Sequence, residues 1–177
     1  MEEAIEQRIR MFALEGLVAK RRMSRYQPGE RSRDWLKWRP GCRQELVVGG
    51  YRPTTNGFDA LLVGYYAEGE LRYAGQVRAG LTKGSKAAVW KRLPTSSLKP
   101  TACPFADLPH HMPYRTRHPW DQRVTAADMP GCRWVPPALV IEVAFLEWGR
   151  HGLLRDGRFL GIREDKEPHA VQREGTR

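Results

Sequence analysis

ALLVGYYAEGELRYAGQVR, residues 60–78, decides how this chain folds. Its two halves, 60–67 and 70–78, are rich in the Leu, Val and Tyr that suit a pleated, half-buried surface. The EGE at 68–70 joins them tightly, so the two runs form a β-hairpin. Upstream, ELVVGGY (45–51) is a third run of the same kind, and the three make a meander. Downstream, TKGSKAAVWKRL (82–93) suits a helix with Thr82 as N-cap and Ala88, Trp90 and Leu93 available for burial. ALVIEVAFLEW (138–148) is the strongest strand, with Val140, Glu142, Ala144 and Leu146 on one face, and RFLG (158–161) is a short last one. Three strands, a helix and two strands is the element order of an OB-fold: mainly β, a five-stranded barrel with a helix between strands 3 and 4. The order alone also suits other small β-barrels. No internal repeat occurs.

The stretch 94–131 is Pro-rich and reads as irregular. Its His110, His111 and His118 lack a companion carboxylate or cysteine pattern, so a polar loop is favoured over a metal site. On the N-terminal side, RPGCR (39–43) marks a boundary. Before it, Ile5, Ile9 and Phe12 place a short amphipathic helix over 2–13. EGLVAK (15–20) is a strand-like run, followed by a polar stretch with a Pro-Gly turn and a second strand within RSRDWLKWR (31–39). Extended, that segment sets Trp35, Lys37 and Arg39 on one side and Leu36 and Trp38 on the other. Lys37 and Arg39 then stand about 7 Å apart, close enough to converge on one anion. From Lys20 to Arg39 there are eight Lys or Arg against Glu30 and Asp34, a local excess of six positive charges. Strands 15–20 and 34–39 leave an open edge that invites pairing with another chain.

Across 177 residues the formal charge is +10 and the isoelectric point near 9.9. That balance suits nucleic acid or another polyanion and says nothing about fold. Mean hydropathy of -0.60 and the lack of any run near 20 apolar residues argue against a membrane partner. MEEAIEQRIR lacks an apolar leader core, so a cytoplasmic, nucleoid-associated protein is expected. Cys42, Cys103 and Cys132 are odd in number and widely spaced, which favours neither a disulfide framework nor a zinc site.

EGLVAKR (15–21), SRDWLKWR (32–39) and FLGIREDK (159–166) closely resemble the fourth, fifth and sixth signature motifs of ATP-dependent DNA ligases. The resemblance is strongest to the ligase module of bacterial non-homologous end-joining enzymes. VVGGY, ALLVGYY, LRYAGQV, CPF and VAFLEW resemble that group's OB domain, and the likeness spans about residues 12 to 173. It implies a nucleotidyltransferase (adenylation) domain of which residues 1–39 are the short α/β C-terminal remnant, an OB domain over 44–166 and a charged tail over 167–177. It also implies ATP, Mg²⁺ or Mn²⁺, and a nicked or broken DNA duplex as substrate. Such ligases adenylate a lysine, pass AMP to the DNA 5′-phosphate, and let the 3′-hydroxyl displace it.

By this resemblance Glu15 supports the divalent metal, and Lys37 with Arg39 meets the α-phosphate. Arg163, Asp165 and Lys166 form the R-x-D-K motif that the OB domain swings over ATP. Lys20 is a candidate contact to the adenylate or DNA, against a plain solvated lysine. Arg21, Arg22, Arg25, Arg31 and Arg33 are candidate DNA contacts. Nucleotidyl transfer needs charge neutralisation and positioning, which these residue types supply.

The family's first motif, K-x-D-G, carries the nucleophilic lysine, and no lysine in the sequence begins it. The nearest string is LRDG (154–157), and a leucine cannot form a phosphoramidate. Two further departures are Arg39 in place of the usual second lysine, and VRAG (77–80) in place of a V-G-T-G turn. The expectation is therefore a chain that starts inside the nucleotidyltransferase domain and acts as a ligase fragment or split partner of a piece carrying K-x-D-G. The alternative is a stand-alone OB module that binds nucleic acid without ligating. The mRNA-capping guanylyltransferases share the two-domain plan, but the CPF and FLEW context favours ligase.

Overall fold

The computed structural model describes residues 5, 8, 11–12, 16–30, 32–38, 41–94, 102–108, 124–125, 127–149 and 152–174. They fall into two compact units, Met1–Gly41 and Cys42–Arg177. The helix expected over 2–13 falls largely outside the described residues. In the smaller unit β1 (Leu17–Lys20) and β2 (Trp35–Trp38) pair antiparallel, with Leu17 opposite Trp38 and Lys20 opposite Trp35.

The larger unit holds β3 (Cys42–Thr54), β4 (Gly57–Ala67), β5 (Glu70–Val77), helix α1 (Lys83–Arg92) and β6 (Arg133–Phe145), followed by β7 (Glu147–Trp148), β8 (Leu154–Arg155) and β9 (Arg158–Ile162). Its main sheet is antiparallel in the order β5-β4-β3-β6-β9. A parallel bridge between Ala79 and Arg158 joins the two edges, with the Phe159 amide donating to the Ala79 carbonyl at 2.9 Å. That closure makes the sheet the five-stranded OB barrel expected, with the helix between its third and fourth strands. Gly80 makes the closure sterically possible: its φ is +81°, and a Cβ there would lie 2.3 Å from the Phe159 carbonyl oxygen.

The hairpin over 60–78 forms as read. Ala67 faces Glu70, and Glu68 and Gly69 between them have φ of 54° and 80°. Two left-handed residues give the type I′ turn whose twist matches the strands. Thr82 caps α1 through a reciprocal box, its Oγ1 accepting from the Ser85 amide at 3.2 Å while its own amide donates to Ser85 Oγ at 2.8 Å. Val89 and Leu93, one turn apart, are buried, whereas Trp90 stays 40% exposed. Trp90 lies on the helix flank beside Tyr51 and Phe58.

Both faces of the sheet are covered, which is why its strands read as almost unbroken apolar runs. Leu46, Val48, Leu61, Val63, Ile141 and Val143 fill one core. Val47, Leu62 and Val140 point the other way, under Tyr73, Phe105, Cys132 and Val171. Two details differ from the sequence reading. First, β6 begins at Arg133, not 138. Leu139 pairs with Val48 and Trp134 with Gly50, so four residues of β6 bulge opposite one of β3. Pro136 and Pro137, which have no amide to donate, sit in that bulge. Second, Phe105 in the nominally irregular stretch is only 1% exposed. Its ring takes the space that side chains at Gly49 and Gly64 would occupy, their built Cβ positions lying 2.6 and 2.7 Å from it.

Candidate functional site

The end of β9 builds the candidate site. Ile162 pairs with Ile141, and the next amide, of Arg163, still donates to the Val140 carbonyl at 2.9 Å. Beyond the loop 163–167, the strap 168–174 is fastened to the barrel rather than left in water. The Tyr66 amide donates to the Val171 carbonyl at 2.7 Å. Gln44, 3% exposed on β3, donates to the Gln172 carbonyl at 3.0 Å and accepts from the Glu174 amide at 3.1 Å. The loop is thus held at both ends, which restricts where its charged side chains can reach.

Arg163, Asp165 and Lys166 lie in this loop, and their side chains gather beside Glu45 of β3. Arg163 donates from Nε and Nη2 to the two oxygens of Asp165, both at 2.9 Å, a bidentate fork. Its Nη1 lies 2.9 Å from Glu45 Oε1 on β3. Lys166 Nζ stands 3.8 Å from the same oxygen. The hydrogen bond from Arg163 holds the Asp165 carboxyl at about 2, below its ordinary value of 3.8. In return Asp165, with Glu45 and Glu142, pushes the Arg163 guanidinium further up. Glu45 and Glu142 are direct cross-strand partners. One residue further on, Arg92 of α1 pairs with Glu164 at 2.6 Å.

In the smaller unit, the register puts Lys20 opposite Trp35 and Lys37 opposite Val18, so Lys20, Trp35 and Lys37 share one face. The Lys20 ammonium sits 4.0 Å from the centre of the Trp35 ring. That ring is fixed by its Nε1–H donating to Ser24 Oγ at 3.1 Å and by Tyr26, 5.5 Å away. Arg21 pairs with Asp34 at 3.1 Å. Arg22, Arg25 and Arg33 are exposed and make no ion pair among the described residues. Glu15, Arg31, Arg39, His110, His111 and His118 lie outside the described residues.

Among the described residues no group of three or more His, Cys, Asp or Glu could hold a metal ion, and no helix is long and apolar enough to cross a membrane. The cysteines are free, and burial pushes the Cys103 and Cys132 thiols up, away from thiolate chemistry. LRDG has a structural part: Leu154 is 2% exposed in the core, and Asp156 turns the chain with φ of 57°. Sequence reading missed Glu45, Gln44 and Glu164. An isolated acid in each of two apolar strands, Glu45 and Glu142, was the available signal.

Residues 54–166 match the family described as the ATP-dependent DNA ligase C-terminal region. A multifunctional non-homologous end joining DNA repair protein, LigD of Mycobacterium tuberculosis, is 37% identical over 169 residues, 93% of this chain and 20% of its own length. The Pseudomonas aeruginosa LigD is 34% identical over 166 residues, 90% of this chain and 18% of the relative. The crystal structure of the ligase domain of M. tuberculosis LigD superposes with a TM-score of 0.61 at 36% identity, over 98% of this chain and 52% of that one. A mycobacterial DNA ligase D complexed with ATP superposes at 0.60 with 37% identity, over 98% and 51%. The chain therefore spans about a fifth of the curated relatives and about half of the solved ligase domains.

Proposed function

The chain belongs to the ATP-dependent DNA ligase family, in its C-terminal region, and from that premise we propose that it supplies DNA binding and part of the adenylation chemistry for nick sealing in end-joining repair. In this reading residues 1–39 are the end of a nucleotidyltransferase domain and 44–166 are the OB domain. The observation that carries it is the disposition of Arg163 and Lys166. Both cations reach one carboxylate oxygen, Glu45 Oε1, at 2.9 and 3.8 Å. Two cations that can share one oxygen anion are what phosphate recognition needs.

ATP, when bound, supplies the adenylyl group. Arg163 and Lys166 hold its phosphates, and Asp165 keeps the guanidinium plane fixed. Lys37 serves the α-phosphate, with Arg39 beside it, and Lys20 the adenylate or the DNA. A divalent metal depends on Glu15, since the described residues offer no cluster of their own. Arg21, Arg22, Arg25, Arg31 and Arg33 grip the DNA backbone. No lysine among the 177 opens K-x-D-G, so the nucleophile comes from other polypeptide, in a longer chain or a separate piece.

Incubation of the pure 177-residue chain with α-labelled ATP and Mg²⁺ gives no covalent adenylate. Adding a nucleotidyltransferase piece with K-x-D-G restores nick sealing, and R163A/K166A abolishes the restoration. Sealing no faster with the chain than without it overturns the reading in favour of a non-catalytic OB module.

A further inference from the structure

Glu45 and Glu142 stand directly opposite each other on neighbouring strands. Like charges in that arrangement repel and destabilise a sheet. The repulsion is relieved from the third strand. Arg163 follows β9, its amide bonded to the Val140 carbonyl, and its guanidinium lies 2.9 Å from Glu45 within the field of Glu142. Lys166 reaches the same Glu45 oxygen, 3.8 Å away. Glu45 itself is largely enclosed, its side chain 19% exposed against 30% for Arg163 and 45% for Lys166. Two cations therefore face three carboxylates, those of Glu45, Glu142 and Asp165. In this state the pair is already neutralised.

We infer that Glu45 is an internal stand-in for phosphate: its carboxylate holds Arg163 and Lys166 against the barrel wall and competes with any anionic ligand of the pair. Gln44, next along β3, ties down the strap that follows the loop, so consecutive β3 residues anchor and occupy the loop. Asp165 plays a different part. It is held to Arg163 by the fork within the loop, whereas Glu45 belongs to the barrel wall on β3. Glu45 is a positioning residue that sets how readily the cations are surrendered to a polyphosphate. The inference rests on reading Arg163 and Lys166 as a phosphate pair.

Inorganic tripolyphosphate titrated into the full 177-residue chain at fixed ionic strength tests it, with calorimetry for affinity and the Arg163 Nε–Hε resonance for location. E45Q binds about fivefold more tightly than the unmodified chain, the factor for one partly exposed ion pair. E45D, which keeps the carboxylate, stays near the unmodified affinity. An E45Q affinity equal to or weaker than that of the unmodified chain overturns the inference. Binding that ignores R163Q and K166Q, or no binding by any variant, counts instead against the phosphate reading itself. Thermal unfolding separates the two. R163Q leaves only Lys166, 3.8 Å from Glu45, to offset the facing Glu45 and Glu142 carboxylates, so R163Q/E45Q melts above R163Q. Equal or lower melting means the contact does not form in solution, and the stand-in fails while the phosphate reading survives.

Discussion

Truncating Phe105 to alanine tests whether the loop 102–108 holds the outer face of the barrel. The ring is 1% exposed. It makes edge contacts with Tyr73 at 5.2 Å and Trp134 at 6.0 Å. Phe→Ala at such a site costs about 3–5 kcal/mol, a large part of the roughly 5–15 kcal/mol that holds a domain together. The glycines beneath the ring sharpen the test. A Cβ at Gly49 would meet Phe105 at 2.6 and 2.9 Å and Pro104 at 2.9 Å. G49A alone therefore overpacks the site, at a cost of about 1–3 kcal/mol. With the ring gone two of the three nearest contacts vanish and that to Pro104 remains, so G49A in the F105A background costs about 1–2 kcal/mol less than in the unmodified chain. G64A is the control. Its Cβ would lie 2.1 Å from the Arg72 carbonyl oxygen, a backbone clash that survives F105A, so G64A stays costly in both backgrounds. Urea unfolding followed by circular dichroism and tryptophan fluorescence reads all six chains. F105A costing under about 1 kcal/mol, or G49A and G64A responding alike to it, refutes the reasoning. The outcome bears on the site, because Val140 lies in this outer core and its carbonyl accepts the Arg163 amide.

Asp165 titrates near 2 in the folded chain, against an ordinary 3.8. A carboxyl held down in this way stabilises the fold fully above the ordinary value and loses that contribution as pH falls through the lower one. Carbon-detected NMR of the carboxyl reads the midpoint, which R163Q moves back up; a midpoint near 3.8 in both chains means the fork is not populated. For DNA, affinity falls steeply between about 50 and 200 mM salt, as expected when basic side chains displace counterions. R22A/R25A flattens the slope of log K against log salt by about two, and a salt-independent affinity in the unmodified chain would sink the electrostatic grip.

What the sequence made legible was whatever depends on neighbours along the chain. The 60–78 hairpin needed only two apolar runs and two turn residues, and the Thr82–Ser85 box closes within one helical turn. The R-x-D-K string was legible only through its resemblance to a motif, and the fork between Arg163 and Asp165 came from the structure. What escaped depends on register between distant strands. Phe105 is buried only because Gly49 and Gly64, far upstream on β3 and β4, leave room for it. The first half of β6 was hidden by Pro136 and Pro137, which are tolerable because β3 lets β6 bulge there. Glu45 and Glu142 look like unrelated solvated acids until β3 and β6 are aligned, when they become an opposed pair. That opposition also carries information. Two acids facing each other across a sheet interior are a fault unless a cation from a third element relieves it. The strand beyond β6 leads to one, since Arg163 is the first residue past its end and lies 2.9 Å from Glu45. The two strand carboxylates and the arginine therefore form one unit, and changing any of the three alters the charge balance felt by the other two.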